Sequence, residues 1–361
     1  MAVRHAMREQ IAADPATTTN GHREALLADL QPIDRDVREF LGEVDRRLVP
    51  FMKRALSLVP GVEPLRRGMT HQVLSGGKRI RAALCVASCE LFGVSYLRAL
   101  NFAAAVEHMQ NFTLVHDDIA DGDTHRRAQE SIWKQFGVPH GINIGDMFVP
   151  LVAFSILQAP YSDRVKLLLF QTVSEFGLEM AVGQALDINL RANDSPTVDE
   201  YLACTRRKTG AFLAIATVGG AIIGGAKDAQ QRLLRDFAML AGTGFQIKDD
   251  IIDLDGFKGR QRGSDIMEGK RTLLVIHAAR NISPLQRRRL FAILNKPRDL
   301  NSADDLEWVF DLYRRTGAAE YAQLTAIRLV DQAVERVGEL PETPAKYRLL
   351  RLANYLSRRS H

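Results

Sequence analysis

Cysteine is scarce: only Cys85, Cys89 and Cys204 occur in 361 residues. An odd, sparse count is no disulfide framework and fits a reducing compartment. Cys85 and Cys89 lie four apart in an apolar run with no His or Cys pair to complete a zinc set, so all three read as small core residues. An apolar leader is also missing. Met1 to Pro15 alternates charged and small residues, and Glu9, Asp14, Glu24 and Asp29 argue against a transit peptide. Both absences point to the cytoplasm. No Walker-type loop occurs, and no Ser, Cys or His is placed as a nucleophile by a recognisable motif. Strand signals are poor, since β-branched residues do not alternate and the only Asn-Gly pair, Asn20-Gly21, lies in a polar stretch. The charge surplus is small, 48 Lys plus Arg against 43 Asp plus Glu. It suits an anionic ligand but lacks the clustered basic face of a nucleic-acid binder. Thr209 to Ala226 runs 18 residues without charge, yet it holds five glycines and is bounded by Lys208 and Lys227. That pattern fits a small-residue helix packed inside a bundle rather than a membrane span.

The remaining composition, 46% apolar and 25% charged, is that of a globule able to bury a sizeable core. Residues 1–32 are polar and read as a mobile tail. From Ile33 onward apolar residues recur at three and four spacings, as in Val37, Phe40, Leu41, Val44, Leu48 and Phe51. Leu167 to Asn189 and Leu233 to Asp253 form further stripes. Breaks such as Gly76-Gly77, Ser195-Pro196, Gly256 to Gly263 and Ser283-Pro284 separate helical stretches. No composition marks a linker and no repeat recurs. The expectation is an all-α fold, with residues 33–361 forming one domain of roughly a dozen helices.

One local similarity stands out. Asp117-Asp118-Ile119-Ala120-Asp121 is echoed by Asp249-Asp250-Ile251-Ile252-Asp253. Residues four apart share a helix face, so Asp117 pairs with Asp121 and Asp249 with Asp253. Bare carboxylates on an apolar helix are costly to bury. A divalent cation makes them tolerable, and all-oxygen ligation selects magnesium, or manganese, over zinc. A single pentad is equally a solvated acidic helix end. Two copies, each after an apolar stretch (Phe112 to Val115, Phe245 to Ile247), argue for a diphosphate clamped from both sides.

Basic residues fit the same ligand. Gly76-Gly77-Lys78-Arg79-Ile80-Arg81 is a Gly-Gly turn opening a helix, whose free N–H groups and dipole favour an anion. Arg126-Arg127 follow the first pentad, Lys208-Thr209 precede the glycine-rich helix, and Lys270 follows the second pentad.

These strings resemble the trans-type isoprenyl diphosphate synthases, the polyprenyl synthetases. The matching residues are Gly76 to Arg81, Leu114 to Asp121, Arg126-Arg127, Gly145-Asp146 and Gly183-Gln184 with Asp187. Lys208-Thr209-Gly210, Phe245 to Asp250, Gly263-Ser264-Asp265 and Gly269 to Thr272 complete the set. The resemblance implies an all-α bundle around a deep apolar cavity, usually a homodimer. It implies head-to-tail joining of isopentenyl diphosphate to an allylic diphosphate with several magnesium ions. Carried over, Asp117, Asp118, Asp121, Asp249, Asp250 and Asp253 look like the metal-binding set. Gly77, Lys78, Arg81, Gln110 and Arg127 would hold isopentenyl diphosphate, with Gln110 standing where many members carry His. Arg126, Lys208 and Lys270 would grip the allylic diphosphate. Thr209 and Gln246 would face the developing cation.

Departures are visible too. The family's Arg-Arg-Gly-x-Pro reads Arg126-Arg127-Ala128-Gln129-Glu130, and Arg260 replaces a lysine usual after the second cluster. Phe112, five residues before Asp117 and ~7.5 Å down a helix, would floor the cavity, with Thr113 beside it. With no insertion in the first motif, this pairing looks like the geranylgeranyl diphosphate synthases. Farnesyl or longer-chain synthases, a class I terpene cyclase and a non-catalytic partner subunit are the alternatives.

Overall fold

The computed structural model describes residues 20–59, 61–256 and 262–358, with side chains from residue 35 onward. The elements in order are α1 (Asn20–Leu56), α2 (Leu65–Leu74), α3 (Ile80–Glu90), α4 (Leu100–Asp121), α5 (Ile132–Phe136), α6 (Val138–Asp146), α7 (Phe148–Leu157) and α8 (Asp163–Leu190). There follow α9 (Val198–Thr205), a π-helical turn (Arg206–Gly210), α10 (Ala211–Ile223), α11 (Asp228–Ile252), α12 (Ser264–Met267), α13 (Leu273–Arg280), α14 (Pro284–Leu294), α15 (Ala303–Thr316), α16 (Ala318–Arg336) and α17 (Pro344–Arg358). The all-α expectation holds. Among the described residues the only strands are His125–Arg126 and Gln129–Glu130, a minimal antiparallel hairpin between α4 and α5. Helix α1 begins at Asn20, ahead of the boundary that the polar sequence places at residue 32.

Local chemistry explains several helix starts. The Ser283-Pro284 break is a helix opening. Ser283 Oγ accepts from the Gln286 N–H, the Gln286 side chain answers, and Pro284 occupies the first turn, where its missing donor costs nothing. Thr197 with Glu200 builds the same reciprocal cap at α9. Gly122, in the left-handed conformation, ends α4 directly after the first pentad.

Helix α10 is the centre of the molecule. Residues Ala211 to Ile222 are all buried, against α3, α8 and α11. The uncharged run is therefore core. Its small residues let neighbours approach, and each large apolar side chain buried there contributes about 1.5–3 kcal/mol. The main core joins α1, α3, α4, α7, α10, α11 and α17, and a smaller one joins α13 to α16. All three cysteines are buried free thiols. Val138–Leu157 is apolar and long enough by composition to cross a membrane. Met147 interrupts it between α6 and α7.

Candidate active site

Helices α4 and α11 each end with an acidic pentad, and both ends open on one cavity of about 850 Å3. The four-residue spacing works as expected. Asp117 and Asp121 line the cavity from α4, and Asp249 and Asp253 line it from α11. Lys78, Arg81, Gln110, Arg126, Lys208, Thr209, Gln246 and Lys270 share its wall. Four acidic and five basic side chains thus ring one space. Away from them the wall turns apolar through Met109, Phe112, Met180, Phe212 and Phe245, and Thr113 lies beside Phe112. The Phe112 ring packs on His116 at 4.6 Å between centroids.

Asp118 and Asp250, read from the sequence as metal ligands, do not line the cavity. Each is the second residue of its pentad, so helical rotation turns it toward the core. Asp118 is 1% exposed and accepts from Arg126 Nε at 2.8 Å, with a second bond from Arg126 Nη2 to the same oxygen. Burial pushes its carboxyl up to about 6 against the pull of Arg126. Asp250 accepts from Tyr201 Oη at 2.6 Å and from Gln246 Nε2 at 3.0 Å. Burial, helped by the charge of Asp265, pushes it up to about 8. Gly77 and Arg127 also lie behind the wall. The Arg127 guanidinium reaches Ser75 Oγ at 3.1 Å and the Gly76 carbonyl, close over Gly77. Burial and the charge of Arg79 push it down to about 10. Arg260 lies outside the described residues.

The wall acids are compensated by nearby cations. Burial works to raise the Asp121 carboxyl, but Lys270, Arg191 and Lys208 outweigh it and hold it below the usual carboxylate range. Arg191 Nη2 lies 2.7 Å from Asp121, and Lys270 Nζ lies 3.6 Å away. Burial raises Asp117, partly countered by Lys208. Asp253 accepts from Ser264 Oγ at 2.9 Å and from the Asp265 N–H at 3.0 Å, which pins the turn carrying Lys270.

Lys208 and Thr209 owe their position to the π-helical turn, an extra residue that re-aims side chains within a long helix. Gly183 makes room for it: a Cβ there would collide with the Lys208 backbone. Lys208 Nζ meets Asp187 at 2.9 Å, and Thr209 Oγ1 donates to Gln246 Oε1 at 2.8 Å. At the Gly-Gly turn one of the helix-opening donors is used within the protein. The Ala82 N–H, in the first turn of α3, donates to Glu107 Oε1 at 3.3 Å.

Sequence reasoning gave no role to Asp187, Arg191, Tyr201 or Arg298. Asp187 and Arg191 carry a signal, opposite charges four apart on an amphipathic helix. Arg298 carries none: it donates to the Asp121 carbonyl at 2.6 Å from 177 residues away.

The donor set suits magnesium. Among the described residues no three carboxylate, imidazole or thiolate groups converge to enclose an ion unaided. Magnesium takes one or two carboxylates and completes its shell with water and phosphate oxygens, which two separated acidic pairs allow.

An all-α bundle with facing acidic motifs over one deep cavity is the architecture of isoprenoid synthases. Residues 62–313 match the polyprenyl synthetase family, and the chain belongs to it. It is 34% identical over 302 residues to a short chain isoprenyl diphosphate synthase of Methanothermobacter thermautotrophicus, across 83% of this chain and 91% of that protein. It is also 34% identical over 304 residues to a geranylgeranyl pyrophosphate synthase of Geoglobus acetivorans, across 83% and 92%. The solved geranylgeranyl pyrophosphate synthetase from Pyrococcus horikoshii superposes with a TM-score of 0.80 at 29% identity, over 89% of this chain and 98% of that one.

Proposed function

We propose that this protein joins isopentenyl diphosphate head-to-tail to an allylic diphosphate and that its main product is geranylgeranyl diphosphate. The observation that carries this reading is the lining of one cavity: Asp117 and Asp121 from α4, Asp249 and Asp253 from α11, five cationic side chains and a set of apolar ones. Arg126, Lys208 and Lys270 bind the allylic diphosphate, and Lys78, Arg81 and Gln110 bind the isopentenyl one. Asp117 and Asp121 on one side, with Asp249 and Asp253 on the other, would hold magnesium, or manganese. Asp118 and Asp250 orient Arg126 and Gln246 from behind. Bound magnesium ions supply positive charge that stabilises the departing diphosphate.

Fixed cations aimed at the leaving group act most strongly where charge develops. As the allylic carbon–oxygen bond breaks, the cation faces the oxygens of Thr209 and Gln246. Asp250 holds the Gln246 amide nitrogen, which leaves the carbonyl oxygen toward Thr209. Phe112, Phe212 and Phe245 keep water from the cation. The isopentenyl double bond attacks, and a proton leaves to the released diphosphate.

The exposed apolar residues Val138, Ile142, Val149, Leu157, Leu178 and Val182 lie on α6, α7 and α8. We assign their cover to a second copy of the chain, giving a homodimer.

The test is incubation with isopentenyl diphosphate, magnesium and each allylic primer, followed by reverse-phase sizing of the dephosphorylated products. A twenty-carbon alcohol is expected. A hydrocarbon would make the protein a cyclase, and no product with any primer would overturn the reading. Phe112→Ala should move the main product to a longer chain. An unchanged distribution would remove Phe112 as the floor.

A further inference from the structure

Lys78 reaches the cavity from the turn between α2 and α3 and Arg81 from the first turn of α3, and the backbone that leads into them is poorly suited to hold them still. Gly76 (φ +85°) and Gly77 (φ +144°) adopt conformations open to glycine and loose in any other setting. Arg79 is also left-handed, at φ 52°, which side chains seldom adopt unless the surroundings impose it. Lys78 and Arg81 face the cavity, but Arg79 faces the core and is 4% exposed.

The guanidinium of Arg79 is divided among three helices. Its Nε donates to Asp45 Oδ1 on α1 at 2.8 Å, its Nη1 to Glu107 Oε2 on α4 at 3.1 Å, and its Nη2 to the Val73 carbonyl in the last turn of α2 at 3.2 Å. Glu107, 4% exposed, uses its other oxygen to cap the Ala82 N–H of α3. Four helices are thus joined by two side chains at the residue that follows Lys78. Glu107 also places a negative charge near Arg127, where it opposes the effect of the Arg79 charge.

We infer that Arg79 and Glu107 are positioning residues for the isopentenyl diphosphate site, fixing where Lys78 and Arg81 stand without touching substrate; this rests on the function proposed above. A lysine at position 79 would keep the charge but not the planar fork that spans three acceptors.

Steady-state kinetics on Arg79→Lys and Glu107→Gln test it. The KM for isopentenyl diphosphate should rise roughly 10- to 100-fold, the scale of a small misplacement of binding groups. The KM for the allylic primer and kcat at saturation should stay within about twofold, since a merely structural lesion would lower kcat for all substrates together. If the single variants do not fold, Arg79→Met combined with Glu107→Leu removes both buried charges at once and avoids leaving one bare. That double variant should melt cooperatively and show the same selective KM rise. A folded variant whose isopentenyl KM matches the wild type, or one losing kcat with both KM values unmoved, overturns the anchor. Wild-type protein that condenses neither substrate overturns the proposed function instead, so the two failures are distinguishable.

Discussion

The two acidic pentads differ in sequence at one position, Ala120 against Ile252, yet the protein surrounds them differently. Their second aspartates make the contrast sharpest. Asp118 rests on a guanidinium, Arg126, while Asp250 rests on a phenol and an amide, Tyr201 and Gln246. The consequence is electrostatic. Burial raises both carboxyls; the Arg126 charge holds Asp118 to about 6, whereas the negative charge of Asp265 adds to burial at Asp250, whose neutral donors leave it at about 8. The α4 side carries its own counter-charges, since Arg191 and Lys270 also hold Asp121 ionised. On the α11 side, Asp250 is a buried acid bonded by neutral donors. A repeated motif is therefore not a repeated environment.

The largest effects should come from the wall residues. Asp117→Ala and Asp249→Ala remove carboxylates that face the cavity from opposite sides. Each should lower kcat by roughly 10²–10³-fold or more, the scale of losing one preorganised electrostatic contact. Adding magnesium should rescue the conservative Asp249→Glu more than Asp117→Glu if the cation matters most beside α11. Equal rescue, read from magnesium titrations of turnover, would break the asymmetry.

A smaller effect of opposite sign is expected at the second aspartates. Asp118→Asn leaves Arg126 without its carboxylate in a part-buried site and should destabilise by about 1–3 kcal/mol. Asp250→Asn keeps one carbonyl oxygen for Gln246, its new amide nitrogen can donate to a turned Tyr201 hydroxyl, and the buried charge is removed. The folded-state pKa of Asp250 is raised, so the native protein holds more protons than the unfolded chain between the unfolded carboxyl value and about 8. Stability from this group is present at low pH and is lost as pH rises through that window. In EDTA, Asp250→Asn should therefore raise Tm increasingly from pH 4 toward pH 8 and then level off. A Tm difference independent of pH would contradict the assigned environment.

How much of this was legible beforehand follows the same line. The facing of Asp117 with Asp121, and of Asp249 with Asp253, needs only helical periodicity and was readable from spacing. So was the buried character of Ala211 to Ile222, because an uncharged, small-residue run has few other uses. The inward turn of Asp118 and Asp250 was implicit in the same periodicity, since a residue next to a wall residue is rotated away from it. The identity of their partners was not. Tyr201 approaches Asp250 from 49 residues away and Arg191 approaches Asp121 from 70, distances over which no local pattern speaks. The Gly-Gly turn has a distant partner as well. A helix N-terminus reads as an anion site, but Glu107 on a different helix had already filled one of its donors. The stretch from Asn20 read as tail on its polar residues, although Leu26, Leu30, Ile33 and Val37 recur there at helical spacing.

The smallest effect lies in the hairpin that brings Arg126 to Asp118. Its turn residues Arg127 and Ala128 both have positive φ, at 54° and 61°. Tight two-residue hairpins favour this backbone and normally place glycine in it. Ala128 is exposed and makes its turn against the preference of its own Cβ. Ala128→Gly relieves that conflict, although glycine also loosens the unfolded chain, so the net gain should be modest, about 0.5–1 kcal/mol. Thermal melts would read it as a rise in Tm of a degree or more. The allylic KM should not change, because Arg126 keeps both of its bonds to Asp118. A fall in Tm would mean that the strain is compensated elsewhere. A changed allylic KM would mean that the stiffness of Ala128 sets the position of Arg126, which would make the α4 side as dependent on its loop as the α11 side is on its donors.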